Sequence, residues 1–143
     1  MIIEVNNERE TKTLAENIAL TLKGGEVFEL IGDVGAGKTT FVKGLAKGLF
    51  IDDDIQSPSF TISRMYDARD NLRLVHYDFY RLSDAGIMLN ELSEMVHDEN
   101  TITVIEWADI VENVLPENRY TIKFESPSEN VRAIELSDEL GTK

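Results

Sequence analysis

The chain contains no cysteine. Disulfides and thiolate metal sites are therefore excluded. Basic residues are scarce, with 14 Lys and Arg against 27 Asp and Glu, a formal net charge of −13 and a pI near 4.5. A stand-alone nucleic-acid binder needs a basic face to neutralise phosphates, so that class is disfavoured. Any role on RNA requires a partner that supplies such a face. The bland account of the acidity is solubility. No run of 18 or more apolar residues is present. The start, Met1-Ile2-Ile3-Glu4-Val5-Asn6-Asn7-Glu8, lacks the basic head and long apolar core of a signal peptide. These absences predict a cytoplasmic protein with no membrane and no DNA partner. Internal repeats, linkers and low-complexity segments are missing too. What remains is 143 residues at 42% hydrophobic, enough for one globular core. The expected domain spans residues 1–136, with 137–143 as a frayed tail.

The most informative stretch is Gly32-Asp33-Val34-Gly35-Ala36-Gly37-Lys38-Thr39-Thr40. It fits the phosphate-binding loop pattern, Gly, four residues, Gly-Lys-Ser/Thr, without a mismatch. The β-prone run Glu26 to Ile31 precedes it. A helical pattern follows, with Phe41, Leu45 and Leu49 every four residues and Val42 and Ala46 beside them. Glycines let the backbone curl so that N–H groups from Asp33 to Thr40 turn inward on phosphate oxygens. The helix adds its positive end. Lys38 is placed to put its charge on the β- and γ-phosphates, and Thr39 its hydroxyl on a bridging Mg²⁺. Thr40 helps hold a phosphate by side chain or backbone. The competing account, a glycine-rich turn that binds nothing, is weakened by the strand before the loop and the helix after it.

Around this core the pattern predicts a strand at Ile2 to Val5. A helix follows from an Asn7 cap with Glu10 three residues on, carrying Leu14, Ile18 and Leu22 to Gly24-Gly25. Asp52-Asp53-Asp54 reads as a solvated turn more readily than as a metal site. Ile55 to Thr61 occupies the position of a nucleotide-sensing switch, with Ser59 and Thr61 as hydroxyl donors, or is an ordinary loop. Phe60 to Asp67 and Leu72 to Phe79 form a hairpin around Ala68 to Asn71. A helix covers Asp84 to His97, with Leu92 and Met95 inward. Thr101 to Trp107 is a buried strand, Asp109 to Val114 a short helix, and Arg119 to Glu125 with Val131 to Leu136 a second hairpin.

A phosphate-loop enzyme needs a carboxylate near its Mg²⁺, at the end of an apolar strand beside the loop strand. Asp78 and Glu106 both end strands. Glu106 follows the more continuously apolar one, which suits a central place. Glu106 is therefore the expected Mg²⁺ carboxylate, directly or through water. Asp78 is assigned to a water-mediated metal contact or to positioning the attacking water; a helix cap or surface acid is the alternative for either. His76 reads as a base or, more commonly for a His among aromatic residues on a strand, as a packed and hydrogen-bonded side chain. Trp107 either contacts a ligand or partner or fills the core.

In order along the chain, Gly-Asp-Val-Gly-Ala-Gly-Lys-Thr-Thr-Phe (32–41), Ser-Pro-Ser-Phe-Thr (57–61), His-Tyr-Asp-Phe-Tyr-Arg-Leu (76–82) and Ile-Glu-Trp (105–107) resemble the TsaE (YjeE) family, the small bacterial ATPases of tRNA threonylcarbamoyladenosine synthesis. The resemblance extends to about Leu136. It implies ATP binding and hydrolysis with Mg²⁺. It also implies work with TsaB and TsaD, which modify adenosine 37 of tRNAs reading codons that start with A, so that tRNA is met only through partners. It assigns Lys38 and Thr39 to phosphate and Mg²⁺, Glu106 to Mg²⁺, Asp78 to catalysis, Ser57 to Thr61 to a switch, and the helix start at Asn7 to Thr11 to the neighbourhood of adenine. Ala85 to Asn100 matches poorly. A small-molecule or nucleotide kinase is the runner-up, but Arg64, Arg69, Arg73, Arg81, Arg119 and Arg132 are scattered and no lid insertion is evident. A GTPase would carry an Asn-Lys-x-Asp motif, which is absent. A non-catalytic nucleotide-binding adaptor is the remaining reading. The expected fold is an α/β phosphate-loop NTPase-like three-layer sandwich. Its mixed sheet has a parallel centre holding the strands that end at Ile31 and Ile105, with antiparallel hairpins at the margins and helices on both faces.

Overall fold

A computed structural model describes residues 1–32, 37–56, 63–80, 86–128 and 131–137. The loop residues Asp33, Val34, Gly35 and Ala36, the Ser57 to Thr61 segment and the tail from 138 lie outside the described residues. Among those described, seven strands form one sheet: β1 (Ile2–Val5), β2 (Val27–Ile31), β3 (Ser63–Asp67), β4 (Arg73–Asp78), β5 (Thr101–Glu106), β6 (Tyr120–Glu125) and β7 (Arg132–Leu136). Their spatial order is β1-β7-β6-β2-β5-β4-β3. Pairing is parallel from β6 through β2 and β5 to β4, and antiparallel for β1 with β7, β7 with β6 and β3 with β4. The parallel centre and antiparallel margins are those expected. The pairing of the first strand with the last is new, because nothing local in either segment names its partner.

Every residue of β5 is buried. The strand has neighbours on both edges and helices over both faces, so side chains of either orientation meet protein. Helices α1 (Glu8–Ala19) and α2 (Lys38–Gly48) cover one face, where Phe28, Leu30, Phe41, Leu45, Leu49 and Val104 form the main core. Helix α3 (Gly86–Val96) and a 3-10 helix at Ala108–Val114 cover the other, over Val75, Tyr77, Leu92, Ile105 and Val111. Each such side chain contributes about 1.5–3 kcal/mol by leaving water.

Asn7 caps α1 as expected, its side chain accepting from the Glu10 N–H at 2.9 Å, while Glu10 returns a bond to the Asn6 N–H at 3.0 Å. The inward face of α1 is in part as expected, with Ile18 buried and Leu22 just beyond the helix buried too. Leu14 is only half-buried, and Thr11, Ala15, Ile18 and Ala19 carry the contact. The reason lies in α2. A Cβ at Gly44 would stand 2.5 Å from the Lys12 carbonyl oxygen and 2.7 Å from the Ala15 Cβ, and one at Gly48 would stand 2.6 Å from the Ala19 Cβ. The two helices run parallel at a separation that only glycine facing alanine permits. Their N-termini consequently lie side by side at one end of the sheet.

Candidate functional site

The C-terminal ends of β2, β4 and β5 meet at that same end. Leu30 is level with Glu106 across the β2–β5 pair, and Glu106 is level with Asp78 across the β5–β4 pair. The chain leaves β2 at Gly32 and enters α2 at Gly37, which has a φ of +106° that a side chain would strain. No side chain caps α2 from this position. Its first-turn N–H groups, with the positive end of the helix, are therefore available to an anion. Thr39 and Thr40 lie half-buried in that first turn.

Lys38 is buried, with only 5% of its surface exposed. Its ammonium donates to the Gly32 carbonyl, lies 3.6 Å from Glu106 Oε1 and sits 4.5 Å from the centre of the Trp107 ring. A buried ammonium is tolerated only with such company. Because β4 alternates, Leu74, His76 and Asp78 project to the α2 face. His76 Nε2 meets Glu106 Oε2 at 2.5 Å, and the ring is fully buried. Asp78 is buried as well, and its Oδ1 accepts from the Tyr80 N–H at 2.9 Å. One of its oxygens thus ties down the chain leaving β4. Lys38, Glu106, His76 and Asp78 share this corner, whereas Asp52, Asp53 and Asp54 are all exposed.

Trp107 follows Glu106 in the left-handed region, φ 56° and ψ 55°. That conformation costs an L-residue about 1–2 kcal/mol and is held by its surroundings. It directs the indole over Lys38 and against Tyr80, with ring centres 4.7 Å apart. Behind it, Gly32, Trp107 and Asp109 wall a cleft between the ends of β2 and β5. On the opposite face of β4, burial pushes the Tyr77 phenol well above its ordinary pKa, and the negative Glu91 adds to the shift. Sequence reasoning missed the His76–Glu106 bond and the position of the indole. The alternation Leu74-His76-Asp78 carried a signal for the first; the left-handed turn at Trp107 had none.

Among the described residues no group of three or more His, Asp or Glu is arranged to hold a metal unaided. This is compatible with Mg²⁺, which takes one or two carboxylates and completes its shell with water and substrate phosphates. The residues here suit that arrangement: a buried carboxylate facing a buried ammonium, beside an uncapped helix start with a threonine in its first turn.

Comparison with known proteins gives a consistent picture. The model of the family "Threonylcarbamoyl adenosine biosynthesis protein TsaE" matches residues 5–134. A Bacillus subtilis protein named tRNA threonylcarbamoyladenosine biosynthesis protein TsaE is 41% identical over 128 residues, covering 90% of this chain and 79% of its own length. An Aquifex aeolicus protein of the same name is 41% identical over 107 residues, covering 73% and 74%. The crystal structure of Bacillus subtilis YdiB superposes with a TM-score of 0.79 at 33% identity, over 99% of this chain and 94% of YdiB.

Proposed function

The chain belongs to the TsaE family, and on that premise we propose that it binds and hydrolyses ATP with Mg²⁺ in the service of tRNA threonylcarbamoyladenosine formation. The modified position is adenosine 37 of tRNAs that read codons starting with A. The chain acts in the cytoplasm with TsaB and TsaD, which hold the tRNA and transfer the group. Its own turnover resets that assembly.

The observation that carries this reading is the buried Lys38–Glu106 pair at 3.6 Å, set between the end of β5 and the uncapped start of α2. Phosphates at that helix start draw the Lys38 ammonium from the Gly32 carbonyl onto their oxygens. The residues Asp33, Val34, Gly35, Ala36 and Gly37 offer backbone N–H groups, and Thr39 and Thr40 their hydroxyls. Glu106 and the Thr39 hydroxyl are the groups to hold Mg²⁺, which when bound neutralises charge developing between the β- and γ-phosphates. Asp78, level with Glu106 on the next strand, orients the water that attacks the γ-phosphorus. The α1 start lies beside the α2 start, within reach of a nucleotide's base. Among the described residues Arg69, Arg73 and Arg119 are occupied with helix-end carbonyls, Asp98 and Glu29 respectively, and so are not placed for the clamp a kinase requires. The acidity agrees with RNA held by partners rather than by this chain.

The test is ATP hydrolysis with Mg²⁺ for the wild type and Glu106→Ala, each alone and with TsaB, TsaD and tRNA. Hydrolysis that rises with the partners in the wild type and is lost in Glu106→Ala is the expected result. ATP turnover indifferent to the partners overturns the proposal and directs the search to a panel of phosphate acceptors.

A further inference from the structure

His76 belongs to no part of the scheme above, yet it is fully buried and holds one oxygen of the carboxylate that the scheme depends on. The two oxygens of Glu106 have separate partners. Oε2 meets His76 Nε2 at 2.5 Å, and Oε1 faces Lys38 Nζ at 3.6 Å. Among the described residues His76 Nδ1 is buried with no hydrogen-bond partner. A proton on that nitrogen would be a buried, unsatisfied donor, which costs more than a bare lone pair. The arrangement therefore favours a ring proton on Nε2, donating to Glu106. That donor occupies Oε2 and leaves Oε1 directed at Lys38 and the start of α2.

We propose that His76 is a positioning residue: its Nε2–H holds Glu106 Oε2 so that Oε1 is presented to the metal and phosphates at the start of α2. A glutamate has three rotatable bonds, and β5 fixes only the first atom of the side chain. Without the imidazole, Oε2 loses its donor in a buried site and the carboxylate swings to find another. The inference rests on the reading of Glu106 as the Mg²⁺ carboxylate, and partners that orient metal ligands in this way are worth about 10–100-fold in metal affinity.

The experiment uses the full chain, ADP as a nucleotide that is not turned over, and Trp107 fluorescence. Trp107 is the sole tryptophan, and its ring lies 4.5 Å from Lys38 Nζ, so its emission reports the site. Half-saturating Mg²⁺ and the ADP affinity in EDTA are measured for the wild type, Glu106→Gln, His76→Gln, His76→Asn and His76→Asn/Glu106→Gln. The Gln amide reaches the place of Nε2, and the Asn amide reaches only that of Nδ1. Both are polar and of similar bulk, so the pair separates the hydrogen bond from packing. His76→Asn is expected to raise half-saturating Mg²⁺ by about 10–100-fold with metal-free ADP affinity unchanged. His76→Gln is expected to stay within a few-fold of wild type, and the double variant to be no weaker than Glu106→Gln alone. Equal Mg²⁺ requirements for His76→Asn and wild type, with Glu106→Gln weakened, overturn the role of His76 alone. A parallel fall in metal-free ADP affinity for His76→Asn and His76→Gln likewise overturns it in favour of packing. An unchanged Mg²⁺ requirement in Glu106→Gln overturns the assignment of Glu106 itself.

Discussion

Replacing Arg69 with alanine should cost this fold about 3 kcal/mol, although the residue sits in a surface turn far from the phosphate loop. Its side chain is 16% exposed and joins the C-termini of both α1 and α2. Nη2 donates to the Ala19 carbonyl at 2.9 Å and the Leu22 carbonyl at 3.2 Å, and Nε to the Gly48 carbonyl at 3.4 Å. Ala19 and Gly48 are the last residues of α1 and α2, where carbonyls lack i+4 helical partners. Leu22 lies just past the end of α1, its N–H already bonded to the Ala19 carbonyl at 3.1 Å. A cation there also meets the negative ends of two parallel helices, about 0.3–1 kcal/mol each. Charge-assisted bonds contribute about 1.5–3 kcal/mol when buried, but water can enter the space left by alanine, so about 1 kcal/mol for each carbonyl is the reasonable figure. The Asp70 contact at 2.9 Å adds nothing measurable, because Asp70 is 75% exposed. For a chain of this size about 3 kcal/mol lowers Tm by roughly 10 °C. The assay is urea unfolding followed by circular dichroism, supported by thermal melts. Arg69→Lys should recover no more than half, since an ammonium cannot serve three divergent carbonyls. Asp70→Asn should be neutral. A loss below about 0.5 kcal/mol in Arg69→Ala at unchanged m-value would refute the reasoning, showing that water satisfies the helix ends equally well.

Gly44→Ala offers a second test of the helix pair. Alanine gains about 1 kcal/mol in helix propensity, yet its Cβ meets the Lys12 carbonyl at 2.5 Å, so the helices must part and the net change should be a loss of about 2 kcal/mol by the same assay. Alkaline titration checks Tyr77. Its folded pKa is raised by burial, so its contribution is complete below the unfolded value and disappears as pH rises beyond it. Phenolate absorbance should therefore show one tyrosine that ionises only with unfolding, and Tyr77→Phe should abolish that last step.

Much of the architecture could be read from local pattern. The helical repeat of Phe41, Leu45 and Leu49 is buried throughout, and the run of β-formers Thr101 to Ile105 is the strand beside β2. That run fits a strand covered on both faces, and Glu106 at its end came to lie against Lys38. A strand buried on both sides has few places in such a sheet, and a carboxylate at its C-terminal end faces the crest where helices begin. On α1 apolarity marked Ile18 and Leu22, which are buried, and Leu14, which packs half-buried against the same core, while the close contact at Ala15 and Ala19 was set by how near α2 could approach. Arg69 was legible only as part of a turn, since its three acceptors lie 21 to 50 residues away.

By itself the sequence determined the strand before the phosphate-loop pattern and the helix after it, the alternation and apolar runs that make a mixed sheet, and the acidity of the chain. Those properties are local: they follow from backbone freedom, side-chain period and net charge. Tertiary structure alone decided that His76 meets Glu106, that Trp107 covers Lys38, that β1 closes onto β7 and that two helix ends share one arginine. Each of these depends on residues brought together by the packing of whole elements, where a shift of one residue in register would exchange one face of a strand for the other.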